Sequence, residues 1–263
     1  MANYLIDLMT WSYSRINAFL QCPYQFYLKY ISKIDEAPMF FSEYGSLVHD
    51  ILAGYYRGDI SPAEALDNFL IRFPSEAVGV CPSESIKMSY FRQGIDGMKS
   101  LSPLPGKIRD VEKRVRFEID GRSFIGFVDL IYENADGALC ILDHKSRMLK
   151  PRSARKKPTK TDAELDEYLR QLYLYSIPVA EAFGRQPDFL EFNCYRSGVK
   201  IKEQFQNEAL DNTRRWALDT IEKIRREQDW NPNLDYWRCH YLCGFGGQCE
   251  YAQIAEWSAS DDE

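Results

Sequence analysis

Three consecutive strand-like segments joined by tight turns occupy the middle of the chain and constrain its fold most strongly. Residues 111–119 alternate apolar and polar side chains, as half-buried β-strands do, the Asp-Gly pair after them indicates a hairpin turn, and residues 123–132 resume as a strand. A second Asp-Gly pair leads into residues 138–143, whose continuous apolar character is typical of a central strand covered on both faces. The sequence therefore predicts a three-stranded meander.

Helical patterns surround the meander on both sides. Pro23 interrupts the first helical pattern, and Pro178 is expected to interrupt or end a later one, because proline removes a backbone donor and crowds the preceding turn. Outside the meander, the predicted elements are helices near residues 12–31, 46–56, 162–182 and 207–228 and a strand over residues 188–197.

Length and composition favour one domain. A chain of 263 residues with 45% hydrophobic content buries one sizeable core but hardly two, so we expect a single α/β domain over residues 1–263 with its core at about 100–205. The first residues lack a basic segment followed by an apolar run, and no stretch of about 18 apolar residues occurs, so neither export nor membrane spanning is predicted. We expect a cytoplasmic protein.

Two acidic residues and one lysine are predicted to meet at the end of the meander. Asp143 and Lys145, two apart on an extended chain, project from the same face, while His144 points to the other. Asp129 ends the neighbouring strand, and two carboxylates this close repel unless a cation lies between them. Oxygen ligands that leave room for water favour Mg²⁺ or Mn²⁺. The alternative is a strand-end salt bridge between Asp143 and Lys145.

A basic segment follows the lysine. The net charge of −6 argues against a protein that coats nucleic acid through bulk electrostatics, but residues 150–160 carry six cations and no acid. Because this segment lies between the catalytic strand and the next helix, it would overhang the site, where Arg152, Arg155, Lys156 and Lys157 could steer phosphates. The alternative is a solvated loop.

Four short motifs occur in an order that resembles one nuclease family. They are Gly45-Ser-Leu-Val-His49, Gly126-Phe-Val-Asp129, Asp143-His144-Lys145 and Gln171-Leu-Tyr-Leu-Tyr175. Their order and spacing resemble the GxxxH, GxxD, DxK and QxxxY motifs of the RecB-like branch of the PD-(D/E)xK nuclease superfamily. The resemblance spans most of the chain, and it implies a restriction-endonuclease-like mixed sheet flanked by helices.

The resemblance also implies roles for individual residues. His49, Asp129, Asp143 and the backbone carbonyl of His144 would be metal ligands, and Lys145 would be the catalytic lysine. Gln171 and Tyr175, four apart on one helix face, would present an amide to the metal site and a phenol to the DNA backbone; a buried amphipathic face is the alternative. Glu112 resembles an acidic residue often found in the preceding strand, but a surface position on that strand is the favoured interpretation.

Seven cysteines in a chain without an export signal are expected to be buried thiols or ligands rather than disulfides. Cys140 and Cys194 fall in predicted strand cores. Cys239, Cys243 and Cys249 near the end and Cys22 near the start resemble the ligands of iron–sulfur nucleases of the AddB type and of CRISPR-associated pre-spacer nucleases. The resemblance implies a 4Fe–4S cluster in a helical lobe formed by residues 10–60 and 230–255. Zinc, with His240 as a possible ligand, is the alternative.

These observations predict a metal-dependent exonuclease that acts on single strands or DNA ends. CRISPR-adaptation or recombination proteins are the partners that the resemblance implies. Two alternatives from other classes stay open. One is a non-catalytic DNA-end or single-strand binding module that keeps the nuclease fold, and the other is a zinc-stabilised interaction protein.

Overall fold

The computed structural model describes residues 2–254, and its central element is a five-stranded mixed sheet in the order β1-β2-β3-β4-β5. Neighbouring strands are antiparallel except β3 and β4, which are parallel. The predicted meander is confirmed as β1 to β3. The strands are β1 Gly106–Ile119, β2 Arg122–Asn134, β3 Leu139–His144, β4 Phe189–Cys194 and β5 Val199–Gln204.

Helices flank the sheet and form its two supporting layers. They are α1 Ala2–Asp7, α2 Tyr13–Gln21, α3 Pro23–Phe26, α4 Phe40–Arg57, α5 Pro62–Glu76, α6 Glu84–Lys99, α7 Lys160–Phe183 and α8 Asn207–Arg226. Within residues 2–254, no helix is long and apolar enough to cross a membrane. The arrangement is consistent with a restriction-endonuclease-like fold.

Strand β5 was not predicted. The sequence predicts only an amphipathic helix after the fourth strand, but a turn with Gly198 at φ 68° reverses the chain and returns residues 199–204 alongside β4. Only Ile201 of β5 is buried, because the strand lies at the edge of the sheet. Its sequence, VKIKEQ, therefore lacks the apolar content that marks the central strands.

Helix α7 continues through Pro178, contrary to the prediction of an interruption there. Thr159 and Asp162 form a capping box at its start, and Gly184 ends it in the left-handed conformation. Pro178 lies in the interior, where it removes one helical hydrogen bond. The helix persists because its last turns are held by tertiary packing, with Ile177 and Val179 buried against the sheet.

Three hydrophobic clusters support the sheet in the described part of the chain. The largest joins the sheet to α7, α8 and the N-terminal helices, a second lies among α4, α5 and α6, and a third consists of Leu130, Tyr132, Cys140 and Leu142 of β2 and β3. Cys140 and Cys194 are buried in β3 and β4, as predicted. The two ends of the described chain meet: Trp230 stacks on Phe26 with ring centroids 5.8 Å apart, and the Asn233 amide donates to the Gln21 carbonyl.

Candidate active site

The register of β2 and β3 brings the two predicted aspartates to one end of the sheet. Leu130 pairs with Leu142 in antiparallel register, so Asp129 and Asp143 follow at the same edge. Asp129 is further fixed by the backbone N–H of His144, which donates to its Oδ2 over 2.7 Å. Both carboxylates are buried, at 8% and 3% exposure.

Helix α4 places His49 against this edge. Its Nε2 donates to the backbone carbonyl oxygen of His144 over 2.8 Å, and its Nδ1 lies 3.3 Å from Asp129 Oδ2 and 4.0 Å from Glu112 Oε1. Burial opposes protonation of His49, but the hydrogen bond and charge of Asp129 outweigh it and raise the pKa of His49 to about 9. The surrounding carboxylates therefore favour the protonated imidazole, which must lose a proton to bind a metal.

Glu112 belongs to this cluster, which corrects the interpretation of Glu112 as a surface residue of its strand. Ligand atoms of His49, Glu112 and Asp129 all lie within 4.8 Å of one another. Glu112 has φ 52°, in the left-handed region that side chains rarely adopt, where β1 passes the site. Burial and the neighbouring Asp129 raise the pKa of Glu112.

Lys145 is held between a carboxylate and an amide. Its Nζ lies 2.8 Å from Asp143 Oδ2 and donates to Gln171 Oε1 over 2.8 Å, and the Gln171 amide contacts the Tyr175 hydroxyl at 3.3 Å. The contact with Asp143 is an ion pair without aligned hydrogen-bond geometry, because Oδ2 has no hydrogen-bond partner in the described part of the chain. One helix face thus fixes the amine at the carboxylate edge.

Burial and neighbouring charges shift the pKa values of Asp143, Asp129 and His144 away from their usual ranges. It raises the pKa of Asp143 to about 6 despite the opposing charge of Lys145. Burial also acts on Asp129, but the hydrogen bond and charge of His49 hold the pKa of that carboxyl below its usual range. The His144 ring points to the opposite face, where it stacks on Tyr56, and burial lowers its pKa to about 3. His144 reaches the site through its backbone, with the N–H on Asp129 and the carbonyl oxygen on His49.

The donor set fits a hard divalent cation. It offers carboxylate oxygens, one carbonyl oxygen and one imidazole, which are the ligands that Mg²⁺ and Mn²⁺ accept. Asp143 Oδ2 already lies 2.8 Å from the Lys145 amine, whereas ligand atoms of His49, Glu112 and Asp129 lie within 4.8 Å of one another and could share one cation. These groups line one open cleft together with Gln171 and Tyr175.

A family model of the PD-(D/E)XK nuclease superfamily matches residues 10–253. The chain belongs to this superfamily. It is therefore a nuclease hydrolase, and nucleases of this superfamily generally use divalent metals.

The fold of this nuclease has a counterpart among solved structures. A candidate exonuclease from Eubacterium rectale is 13% identical and superposes with a TM-score of 0.51, over 95% of this chain and 89% of that chain. A second structure, SSO0001, is 15% identical over 90% and 85% of the two chains, and its TM-score of 0.32 carries no argument about the fold. No curated protein matches the chain.

Several residues that line the nuclease cleft were not predicted to do so. Ser12 and Ser14 lie at the start of α2, Arg147 follows the catalytic strand, and the Tyr168 ring lies 5.5 Å from the Lys145 amine. Nothing in their local sequence pattern indicates a site, because each reaches the cleft through long-range packing. Tyr175 is 8% exposed, and its ring packs over Gly126. Its hydroxyl contacts the Gln171 amide, and this contact is its main link to the other groups of the cleft.

The predicted DNA-binding residues of the basic loop differ in their surroundings. Arg152 makes ion pairs with Asp166 and Glu203 and lines a separate groove beside α7 and α8 rather than the catalytic cleft. Arg155, Lys156 and Lys157 are exposed. Their role in steering phosphates stays a prediction.

The four predicted cysteine ligands lie around one cavity. Cys22, from the start of α3, meets Cys239, Cys243 and Cys249, from the C-terminal segment. All four thiols are half-buried, and burial raises the pKa of Cys243 to about 11. No three of these sulfurs lie within 4.8 Å of one another.

Proposed function

We propose that the protein is a divalent-metal-dependent deoxyribonuclease of the cytoplasm and that it works as an exonuclease on single strands or DNA ends. One observation carries the proposal: the Lys145 amine is fixed 2.8 Å from Asp143, at the same edge as the cluster of His49, Glu112 and Asp129. A general salt bridge does not need a histidine and two further carboxylates around it, whereas phosphodiester hydrolysis needs a cation site beside a fixed amine.

Each group has a distinct role in this proposal. His49, Asp129, Asp143 and the His144 carbonyl hold Mg²⁺ or Mn²⁺, with Glu112 beside them. A divalent metal held by these residues would supply charge neutralisation at the scissile phosphate and a bound water of lowered pKa. Lys145 stabilises the charge that develops on the phosphate oxygens, and its position is set by Gln171.

A preference for ends is supported by the name of the structural counterpart from Eubacterium rectale, a candidate exonuclease. The rival is a binding module that keeps the fold without catalysis. Against it stands the set of ligands with the lysine, since burying Asp129 and Asp143 beside the half-buried Glu112 and an imidazole costs free energy that a bound cation would offset.

The experiment is a cleavage assay on end-labelled single- and double-stranded DNA across a series of divalent metals. We expect Mg²⁺- or Mn²⁺-dependent release of short products from single strands or ends, and a loss of about 10²- to 10³-fold in Lys145→Ala. Lys223→Ala, a charge removal on exposed α8, is the matched control. The absence of metal-dependent cleavage, or equal rates in Lys145→Ala and wild type, would defeat the proposal.

We also propose that the four cysteines hold a 4Fe–4S cluster that joins the two ends of the chain. A single tetrahedral zinc, with bonds of about 2.3 Å, draws its sulfurs to about 4 Å apart. No three of these sulfurs lie within 4.8 Å of one another, an arrangement that a polynuclear cluster spans more readily than one zinc ion does. His240 donates to the Tyr236 carbonyl and is not among the residues that line the cavity, which weakens the zinc alternative.

A half-buried cation also lines the cavity. Arg238 lines it, and its Nε has no hydrogen-bond partner in the described part of the chain. A thiolate-ligated cluster is anionic, so an arginine beside it is favourable. CRISPR-adaptation or recombination proteins would be partners of such a nuclease.

Metal analysis after anaerobic purification tests the cluster. We expect iron and acid-labile sulfide in equal amounts with broad visible absorbance, and loss of both in Cys22→Ser. Cys81→Ser, a change at a half-buried thiol outside the cavity, is the control. A colourless protein with one equivalent of zinc would overturn the cluster assignment.

A further inference from the structure

A row of cross-strand pairs on one face of the β1–β2 hairpin leads away from the metal site. Two residues from Asp129 along the hairpin, Phe127 pairs with Arg114, and two residues further on, Ile125 pairs with Arg116. Because residues two apart on a strand share a face, these side chains lie in line with the carboxylate. We call Arg114, Arg116, Ile125 and Phe127 the arginine strip.

The arginine strip is continuous with the catalytic cleft. Ile125 lines both the cleft and a neighbouring groove, which also contains Arg114, Arg116 and, from the N-terminal segment, Arg15. The groove is basic near the cleft, and Glu118 marks its far end. A bound strand that extends from the metal site along β2 would therefore contact the arginines close to the site and the Glu118 carboxylate at the far end.

The two strip arginines are exposed and available. Within residues 2–254, neither Arg114 nor Arg116 makes an ion pair or a side-chain hydrogen bond, whereas the nearby Lys113 is paired with Asp110. Acids outnumber bases in this chain, 39 to 33, so two adjacent unpaired arginines are not explained by a general excess of positive charge. Exposed arginines without carboxylate partners are suited to phosphate oxygens.

The spacing of the strip matches a polynucleotide. Side chains two apart on a strand are separated by about 7 Å, so Arg114 stands one such step and Arg116 two steps from Asp129. Consecutive phosphates of an extended single strand are separated by a similar distance. Each arginine would therefore contact one phosphate, in register with a scissile phosphate at the metal.

An exposed aromatic ring lies within the strip. Phe127 is 51% exposed, although its neighbours in β2 are buried. Its position beside Arg114 places a flat apolar surface next to a phosphate contact, which is the combination that binds single strands by stacking of bases. A paired duplex keeps its bases stacked internally and does not offer them to such a ring.

We propose that the arginine strip binds the single-stranded segment of DNA adjacent to the cleaved bond, with two phosphates on Arg114 and Arg116 and a base on Phe127. The proposal rests on the nuclease function proposed above and specifies its substrate as a strand that is unpaired for at least about two nucleotides beyond the scissile phosphate.

The test measures binding and cleavage separately. Fluorescence anisotropy with oligothymidylates of increasing length is carried out in the Lys145→Ala background, and cleavage is measured in the otherwise wild-type chain. Arg114→Gln with Arg116→Gln removes the charges, and Phe127→Ala removes the ring. The matched control is Lys223→Gln with Arg226→Gln on α8, which lines neither groove. Circular dichroism melting checks that each variant folds.

We expect the double arginine variant to reduce the slope of log affinity against log salt by about 1 for each arginine, and to raise KM on long strands more than it lowers kcat. Phe127→Ala should weaken single-strand binding about 5- to 100-fold. In the wild type and the α8 control, DNA affinity should increase with strand length. In the strip variants this increase should be smaller.

The outcomes separate the two proposals. If the wild type cleaves DNA but the strip variants bind DNA as well as the control does, the proposal for the arginine strip is wrong and the nuclease proposal stands. Strip-dependent binding without any cleavage overturns the nuclease function and keeps the strip as a binding surface. Equal loss of affinity for blunt duplex and single strand in Phe127→Ala overturns the single-strand assignment, and absence of both binding and cleavage overturns both proposals.

Discussion

His49 and His144 are linked by a hydrogen bond of 2.8 Å from the imidazole Nε2 to the backbone carbonyl oxygen, although 95 residues separate them in sequence. The bond ties α4 to the end of β3, at the point where the His144 N–H also holds Asp129. Donor and acceptor are both proposed ligands, so the protein keeps the ligand set assembled through its own hydrogen bonds. Preorganisation of this kind lowers the cost of binding a metal.

Replacement of His49 should weaken metal binding. We expect His49→Ala to reduce Mn²⁺ affinity by at least about tenfold, because it removes a ligand and the group that positions Asp129. Isothermal titration calorimetry measures the affinity. Glu112→Gln should have a smaller effect, since Glu112 is more distant from His49 than Asp129 is. Unchanged affinity in His49→Ala would contradict the ligand assignment.

Gln171→Leu should slow cleavage by about tenfold or more, because the Lys145 amine loses the acceptor that fixes its position. The cost in stability should be about 1 kcal/mol, the usual value of one hydrogen bond. Gln93→Leu is a matched control, since Gln93 is another helical glutamine that accepts from a cation, Arg196, outside the cleft. Single-turnover rates distinguish the two variants; equal effects would show that Gln171 acts only on stability.

Gly126→Ala should impair both activity and stability. A Cβ at Gly126 would lie 2.3 Å from the Tyr175 ring, so the ring must move and disturb the contact of Tyr175 with Gln171. Overpacking of this kind costs about 1–3 kcal/mol. Gly54→Ala in α4, where the new atom would meet Ile60 at 3.4 Å, should be tolerated. Thermal melts and cleavage rates test both; a fully active Gly126→Ala enzyme would show that Tyr175 need not keep its position.

Asp162 should make the stability of the protein pH-dependent. Its carboxylate accepts hydrogen bonds from the hydroxyl and N–H of Ser153 and from those of Thr159, and these hold its pKa well below the usual range. Because the pKa of Asp162 is lower in the folded than in the unfolded state, its ionised carboxylate contributes fully to folding stability above the unfolded pKa of about 4. This contribution to stability is lost as pH falls toward the folded pKa.

Urea unfolding of wild type and Asp162→Asn from about pH 7 to about pH 3 measures this linkage. The variant should be less stable by a constant amount above about pH 5, and the difference should shrink below about pH 4. Asp136→Asn, at an exposed turn, is the control. A difference between wild type and Asp162→Asn that grows as pH falls would contradict the assignment.

Local patterns predicted the strands of the meander and the positions of the motifs, because a period of two or 3.6 residues follows directly from backbone geometry. The same reasoning did not find β5, which is an edge strand with one buried side chain. An interruption or end of the helix at Pro178 was also predicted, and it is wrong because the packing that carries α7 past a proline is tertiary.

The place of Glu112 in the site could not be predicted from local sequence. From sequence it is one glutamate on an alternating strand, and only the approach of α4 reveals that it lies 4.0 Å from His49. The arginine strip has the same origin, since Arg114 and Arg116 become a surface only when the hairpin register sets them beside Phe127 and Ile125.

The order of residues by itself determined that Asp143 and Lys145 share a face wherever their strand lies, and the roles predicted for the other motif residues came from their resemblance to a nuclease family. The tertiary structure alone decided which of these groups meet. Contacts such as that between His49 and His144 join distant parts of the chain, and they depend on strand register and helix packing that no local period encodes.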